Sequence, residues 1–334
     1  MGRGRLQVGL VIGRRTALVF PGQGSQAVGM GRALYDSAPA ARAVFERADA
    51  ALGFPLSRAC FEGPEEHLRL TAVTQPAVLV TSIACLEALR ASLPGRFQES
   101  IVCAAGHSLG EYSALVAASA LDLEDAAVIV RRRGEYMQEA VPVGQGAMAA
   151  VLGLPLEKVE RLCRDAASGE VLSPANLNAP DQTVVAGTAA AVGRLVAMAK
   201  DRGAKRTVLL PVSAPFHCAL MAPAAERLAA DLAALPLRDA RVPVILNVRA
   251  RPETRAAALR AALIEQVTSP VRWVESVVRM KEMGAEVIVE VGPGRVLTGL
   301  TRRIVPGMPT LNVEDPQTLG AFREAPGQEP GGAA

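Results

Sequence analysis

The sequence predicts an α/β protein built on a parallel sheet, with a smaller unit inserted into it. Three observations carry this expectation. Short apolar runs alternate with helix-period patterns up to residue 139 and again beyond residue 213, the rhythm of strands joined by crossover helices. Between Gly146 and Val212 the order changes to strand, helix, strand, strand, helix, strand, which is the order of a ferredoxin-like unit. One strand-to-helix turn, Gly106-His107-Ser108-Leu109-Gly110, holds a serine between two glycines, the pattern of a nucleophile elbow.

Residues 1–15 carry Arg3, Arg5, Arg14 and Arg15 around an apolar segment too short for an export signal and lacking a cleavage site, and are expected to be a disordered extension. Thr16 to Phe20 is the first buried strand; it runs into Pro21-Gly22-Gln23-Gly24-Ser25-Gln26 and a helix through Met30 to Tyr35. The glycines of that turn fall at 22, 24 and 29 and no lysine is present, so it fits neither a dinucleotide fingerprint nor a P-loop. It does offer backbone N–H groups suited to an oxyanion. Helices are expected over 39–53 and 75–92, then the apolar strand Ile101 to Ala105, the elbow, and a helix from Leu109 through Val116. A further helix from Leu123 to Glu139 carries Arg131-Arg132-Arg133-Gly134.

The inserted unit reads as a strand over 146–153, a helix over 156–167, strands near 170–175 and 182–187, a helix over 188–202 and a strand over 205–212. The larger unit resumes with a helix over 220–235, a strand over 242–247, helices over 255–283 and a strand over 286–291, after which Gly292-Pro293-Gly294 turns into a last helix. The expected division is therefore a catalytic domain over 16–143 and 213–315, an inserted subdomain over 144–212, and a disordered tail over 316–334, rich in Gly, Pro, Glu and Ala.

With 334 residues, 50% of them hydrophobic, the chain is long enough to bury a large core. Its 36 basic and 33 acidic residues leave +3, and aromatics are 3%, which argues against nucleic acid as a partner. Five cysteines, Cys60, Cys85, Cys103, Cys163 and Cys218, form no C-x-x-C pair, so neither a disulfide framework nor a zinc site is expected, and the setting reads as reducing and cytoplasmic. No run approaches the ~18 apolar residues of a membrane span.

Ser108 is the candidate nucleophile, although Ser108-x-x-Glu111 also matches a capping box, in which the serine would only cap a helix. A serine needs an adjacent base, and the chain has three histidines. His107 neighbours Ser108 on the elbow, where adjacent side chains diverge, and His67 lies in the acidic stretch Glu62-Gly63-Pro64-Glu65-Glu66. His217, in Pro215-Phe216-His217-Cys218 between the last inserted strand and a helix, remains.

Six motifs together resemble the acyl-CoA:acyl carrier protein transacylases, the malonyl transferases of fatty acid synthesis and the acyltransferase domains of polyketide synthases. They are Phe20 to Gln26, Gly106 to Tyr112, Arg133-Gly134 with Met137-Gln138, Asn176-x-Asn178-x-Pro180, Phe216-His217 and Val291 to Gly294. The resemblance spans residues 16–315 and implies an α/β-hydrolase-like domain with an inserted ferredoxin-like subdomain. It implies Ser108 as nucleophile, His217 as base and acid, the N–H groups of Gln23 and Leu109 as oxyanion hole, and the carbonyl of Gln266 as the group orienting His217. Arg133 would bind the substrate carboxylate, with Asn176 and Phe216 in the substrate site, Phe216 favouring malonyl over methylmalonyl.

Arg131, Arg132 and Arg133 lie ~100° apart on a helix and cannot all face one cleft. The family pattern selects the arginine before the glycine, whose planar fork suits a carboxylate; Arg132 is the next candidate. The expected activity is transfer of malonyl from malonyl-CoA to acyl carrier protein, by a monomer with no metal or bound cofactor. A serine hydrolase or thioesterase is the nearest alternative, and a nucleotide-binding module using the first glycine-rich turn a more distant one.

Overall fold

The computed structural model describes residues 13–93, 95–212 and 214–323. Among the described residues ten strands form two sheets: β1 (Thr16–Phe20), β2 (Ile101–Gly106), β3 (Gly146–Leu152), β4 (Leu172–Ala179), β5 (Gln182–Thr188), β6 (Arg206–Leu209), β7 (Val244–Ile245), β8 (Pro252–Glu253), β9 (Val287–Val291) and β10 (Thr310–Val313).

The larger sheet has the order β10-β9-β1-β2-β7-β8, parallel throughout except for the edge strand β8. β1 sits in the middle with all five residues buried, which is why it reads as an unbroken apolar run: helices cover both faces. Its side chains alternate. Leu18 and Phe20 join the cluster that holds the Thr71–Ser92 helix, while Ala17 and Val19 pack with Trp273, Val277 and Leu297 on the other face. Register pairs Phe20 with Gly106, so the glycine-rich turn after β1 and the elbow after β2 emerge side by side at the C-terminal edge. Open parallel sheets bind their ligands at that edge.

The smaller sheet has the order β4-β5-β3-β6, antiparallel throughout. Ala149 and Val151 of β3 pack beneath the Leu156–Ala167 and Ala189–Ala199 helices, and the alternate residues Met148 and Ala150 belong to the large core. One face thus carries its own helices and the other lies over the larger unit. A backbone bracket joins the two: Val271 N–H donates to Ala175 O and Leu177 N–H donates to Val271 O, both 2.9 Å.

Several details differ from expectation. The helical pattern over 255–283 is two helices, Ala256–Gln266 and Trp273–Glu282, because Pro270 disfavours helical backbone at Ser269 and supplies no N–H. The strand expected over 242–247 shrinks to β7, and neither β8 nor β10 was expected; both are too short to carry a period. Residues 316–323, expected to be disordered, form a helix with Leu319 and Phe322 buried. Asp315 caps it, its Oδ1 accepting from Thr318 N–H at 2.7 Å, with Pro316 at the first position. Residues 324–334 lie outside the described residues, as do residues 1–12 of the expected extension. Arg15 is not loose: its guanidinium donates to Met283 O and Gly284 O and its N–H to Glu286.

The Thr71–Ser92 helix starts a turn before its expected start at residue 75. Its first turn packs on Gly134, where a Cβ would come within 2.7 Å of Thr71 O. Contrary to the sequence expectation, this helix is long and apolar enough to cross a membrane, yet 89% of its most apolar window is buried inside the protein. Its threonines, Gln75 and Ser82 interrupt the apolar run without breaking the average.

At the elbow, a Cβ on Gly106 would overlap the Gly110 carbonyl, and one on Gly110 would overlap Phe20 O. Backbone cannot yield as a side-chain tip can, so Gly106→Ala should destabilise by about 3 kcal/mol or more, the upper range for overpacking. Gly193, exposed within the Ala189–Ala199 helix with no atom within 4 Å of an added Cβ, gives the opposite sign: Gly193→Ala should stabilise by about 0.5–1 kcal/mol. Urea denaturation of both variants checks the pair.

Candidate active site

The elbow holds Ser108 at φ 51°, in the left-handed region that costs a serine of order 1 kcal/mol and needs outside support. Support comes from neighbours on both sides. His107 N–H donates to Phe20 O at 3.0 Å, and Gly110 N–H closes the turn on His107 O at 2.9 Å. Asn247, two residues beyond the β7 end that pairs with Ala105, accepts from Ser108 N–H through Oδ1 and donates to Gly106 O through Nδ2, both 2.7 Å.

The hydroxyl is aimed at a base. Ser108 Oγ lies 2.7 Å from His217 Nε2, and His217 Nδ1 lies 2.9 Å from the backbone carbonyl of Gln266. A carbonyl only accepts, so the proton sits on Nδ1 and Nε2 is left as the acceptor of the serine proton. Burial, and after it the nearby Arg133 guanidinium, lowers His217 to about 3, which keeps the ring neutral at physiological pH. The capping reading of Ser108 fails here, since the Gly110–Ala117 helix has no side-chain cap. Glu111 instead turns inward, 1% exposed, where Oε2 accepts from Asn247 N–H at 2.8 Å and from Gln266 Nε2 at 3.1 Å. Burial pushes its carboxyl up to about 7 against those donors.

Arg133 is 1% exposed beside this pair. Its Nη1 donates to Gln75 Oε1 at 2.7 Å, and its Nη2 to Gln266 Oε1 at 2.9 Å and Ser108 Oγ at 3.1 Å. Burial lowers its pKa, but a guanidinium stays charged in proteins. Among the described residues no carboxylate lies within ion-pair distance of it. A buried cation held only by neutral acceptors is costly unless an anion arrives. The other two arginines face elsewhere: Arg131 pairs with Glu135 at 3.1 Å and stacks on Phe54, and Arg132 pairs with Asp231 at 3.0 Å, half-exposed.

The remaining expected residues gather round the same place. A cavity of about 100 Å³ is lined by Ser108, His217 and Arg133 together with Gln23, Leu109, Asn176 and Phe216. Neither the Gln23 nor the Leu109 N–H donates a hydrogen bond among the described residues. A second cavity of about 200 Å³ shares Gln23, His107 and Asn176 with the first and runs along Pro21 to Ser25 towards Val296 and Leu300. The first glycine-rich turn therefore forms a wall of this cleft. His107 points away from Ser108, its Nε2 2.8 Å from Asn178 Oδ1, and His67 is exposed on a separate short helix.

Four contributions escaped sequence reasoning: Gln75, Glu111, Asn247 and the side chain of Gln266. One signal was available for two of them. Gln75 and Glu111 are polar residues set within apolar helical stretches, where an unpartnered polar group would be costly.

The sequence profile of the acyl transferase domain family matches residues 17–323. The malonyl CoA-acyl carrier protein transacylase of Bacillus subtilis strain 168 is 48% identical over 309 residues, 91% of this chain and 95% of its own. Among solved structures, the malonyl CoA-acyl carrier protein transacylase from Coxiella burnetii is similar at TM-score 0.89 and 44% identity, over 94% of this chain and 98% of that one. A structure of a type II PKS acyl-carrier protein in complex with its malonyl-transacylase is similar at TM-score 0.87 and 44% identity, over 93% and 99%.

The depressed His217 pKa has a signed consequence. Between the ordinary histidine value near 6.5 and about 3, the unfolded chain binds a proton that the folded chain excludes, so this residue's contribution to stability falls as pH falls. Relative to His217→Gln, the wild type should lose about 2–3 kcal/mol between pH 8 and pH 4.5, read by urea denaturation at both. Comparison with the variant cancels Glu111, whose raised pKa acts in the opposite sense. Parallel pH profiles would mean that folded His217 takes up its proton normally.

Proposed function

This chain belongs to the acyl transferase domain family, and on that premise we propose that it transfers a malonyl group from malonyl-CoA to the phosphopantetheine thiol of an acyl carrier protein, for fatty acid or polyketide synthesis. The observation that carries the substrate is Arg133, a buried cation with no carboxylate partner among the described residues, its Nη2 3.1 Å from the Ser108 hydroxyl. Malonyl differs from acetyl by the anion such a group would bind.

In the first half-reaction His217 Nε2 takes the Ser108 proton as Oγ attacks the thioester carbonyl. The oxyanion is met by the N–H groups of Gln23 and Leu109. Collapse breaks the C–S bond, and the imidazolium returns its proton to the departing CoA sulfur, leaving a malonyl ester on Ser108. In the second, His217 takes the proton of the carrier thiol, the sulfur attacks the ester, and Ser108 leaves with the proton restored. The imidazolium is steadied by the Gln266 carbonyl, a neutral acceptor in the position an aspartate takes in a Ser-His-Asp triad. Asn176 and Phe216 wall the acyl site. The steps call for no metal or bound cofactor.

Brief incubation with malonyl-CoA should add one malonyl group to the intact mass of the wild type and none to Ser108→Ala; uptake by the variant would place the nucleophile elsewhere. Arg133→Ala strands the substrate carboxylate, a loss of roughly 2–5 kcal/mol, or about 30- to several-thousand-fold in malonyl transfer. Acetyl transfer should fall far less. The ratio of malonyl to acetyl kcat/KM in the two proteins measures this, and an unchanged ratio would move the carboxylate site away from Arg133.

A further inference from the structure

We propose that Glu111 is a positioning residue of the transfer site, whose buried carboxylate sets the orientation of the Gln266 side-chain amide and through it the placement of Arg133. The proposal rests on the reading of Arg133 as the receptor of the malonyl carboxylate.

A glutamine amide has two faces of nearly equal shape and opposite hydrogen-bonding sense, related by a half-turn about its last bond. Gln266 uses both. Oε1 accepts from Arg133 Nη2 at 2.9 Å, and Nε2 donates to Ser108 O and to Glu111 Oε2, each at 3.1 Å. Reversing the amide would set its NH₂ against a guanidinium, which only donates, and its oxygen against a carbonyl and a carboxylate oxygen that serve here as acceptors. Every contact would be mismatched. Glu111 supplies the charged half of this discrimination, and hydrogen bonds to charged groups are the stronger ones.

The same oxygen does a second job. Glu111 Oε2 also accepts from Asn247 N–H at 2.8 Å, and Asn247 bridges Ser108 N–H and Gly106 O across the strained elbow. Glu111 does not line the cavity with Ser108, His217 and Arg133. It holds the elbow and the Arg133 partner from behind, out of reach of substrate.

The test uses the full chain and the ratio of malonyl to acetyl kcat/KM, which is unaffected by the fraction of molecules that fold. Glu111→Ala should lower that ratio about ten- to a hundredfold, the worth of one hydrogen bond to a charged partner. Glu111→Gln keeps an oxygen for both donors but gives up the charge, so its ratio should fall between those of the wild type and Glu111→Ala. Glu111→Asp keeps the charge but falls one methylene short; it should lower the ratio as Ala does, and it stands in if the alanine variant does not fold. A ratio unchanged in both Glu111→Ala and Glu111→Asp, while Arg133→Ala lowers it, overturns the role of Glu111 alone. So does a Gln variant as impaired as Ala. If Arg133→Ala itself leaves the ratio unchanged, the carboxylate assignment falls, and the positioning role with it.

Discussion

The structure turns on keeping one guanidinium out of water without giving it a carboxylate. Removing a cation from solvent costs several kcal/mol unless its donors are met, and for Arg133 the two Nη groups are met by Gln75, Gln266 and the Ser108 hydroxyl while Nε has no partner among the described residues. These groups come from a helix start, a helix end and an elbow far apart in the chain. The fold is what brings them within 3.1 Å of one side chain. Gly134 lets the arginine-bearing Leu123–Glu139 helix close onto the backbone of Thr71 and Ala72, and the parallel register of β1 and β2 sets the elbow beside the first turn.

The same burial tunes the acid-base pair. A histidine beside a buried positive charge is held neutral, ready to accept a proton, while its other nitrogen is fixed by a carbonyl that carries no charge of its own. A carboxylate there would have formed an ion pair within reach of the guanidinium and filled the role that the proposed substrate brings. The neutral partner on His217 and the unpaired cation on Arg133 are thus two sides of one electrostatic arrangement.

Much of this was legible in the sequence where period and punctuation are local. The buried run of β1, the glycine-flanked serine and the six-element order of the insertion each announce themselves within a few residues, and the larger sheet is parallel as the alternation implied. Ser108, His217, Arg133 and Gln266 do come together, though Gln266 was found through family resemblance and only for its carbonyl. What stayed hidden depends on tertiary contact. β10 is three half-buried residues and a buried valine that become a strand only beside β9. The 316–323 helix was lost under a low-complexity reading despite its Asp-Pro start. Asn247 has no local motif, and the local pattern around Glu111 points to helix capping instead, because a buried polar network is defined by partners more than a hundred residues away.

The bracket between Val271 and β4 bears on how far this protein can be treated as two exchangeable parts. Val271 pairs with Ala175 and Leu177 on one side and follows Gln266, the residue that grips His217, by a single irregular turn on the other. Cutting at the ends of the smaller sheet and grafting in another would sever that pairing and leave the histidine's carbonyl anchor on an untethered turn. A chimera that transplants the inserted unit together with segment 266–273 preserves the bracket as one inheritable piece. The natural seams for recombination therefore lie at the flanks of segment 266–273 as well as at the ends of the smaller sheet, and the helix break at Pro270 stays inside the transplanted piece.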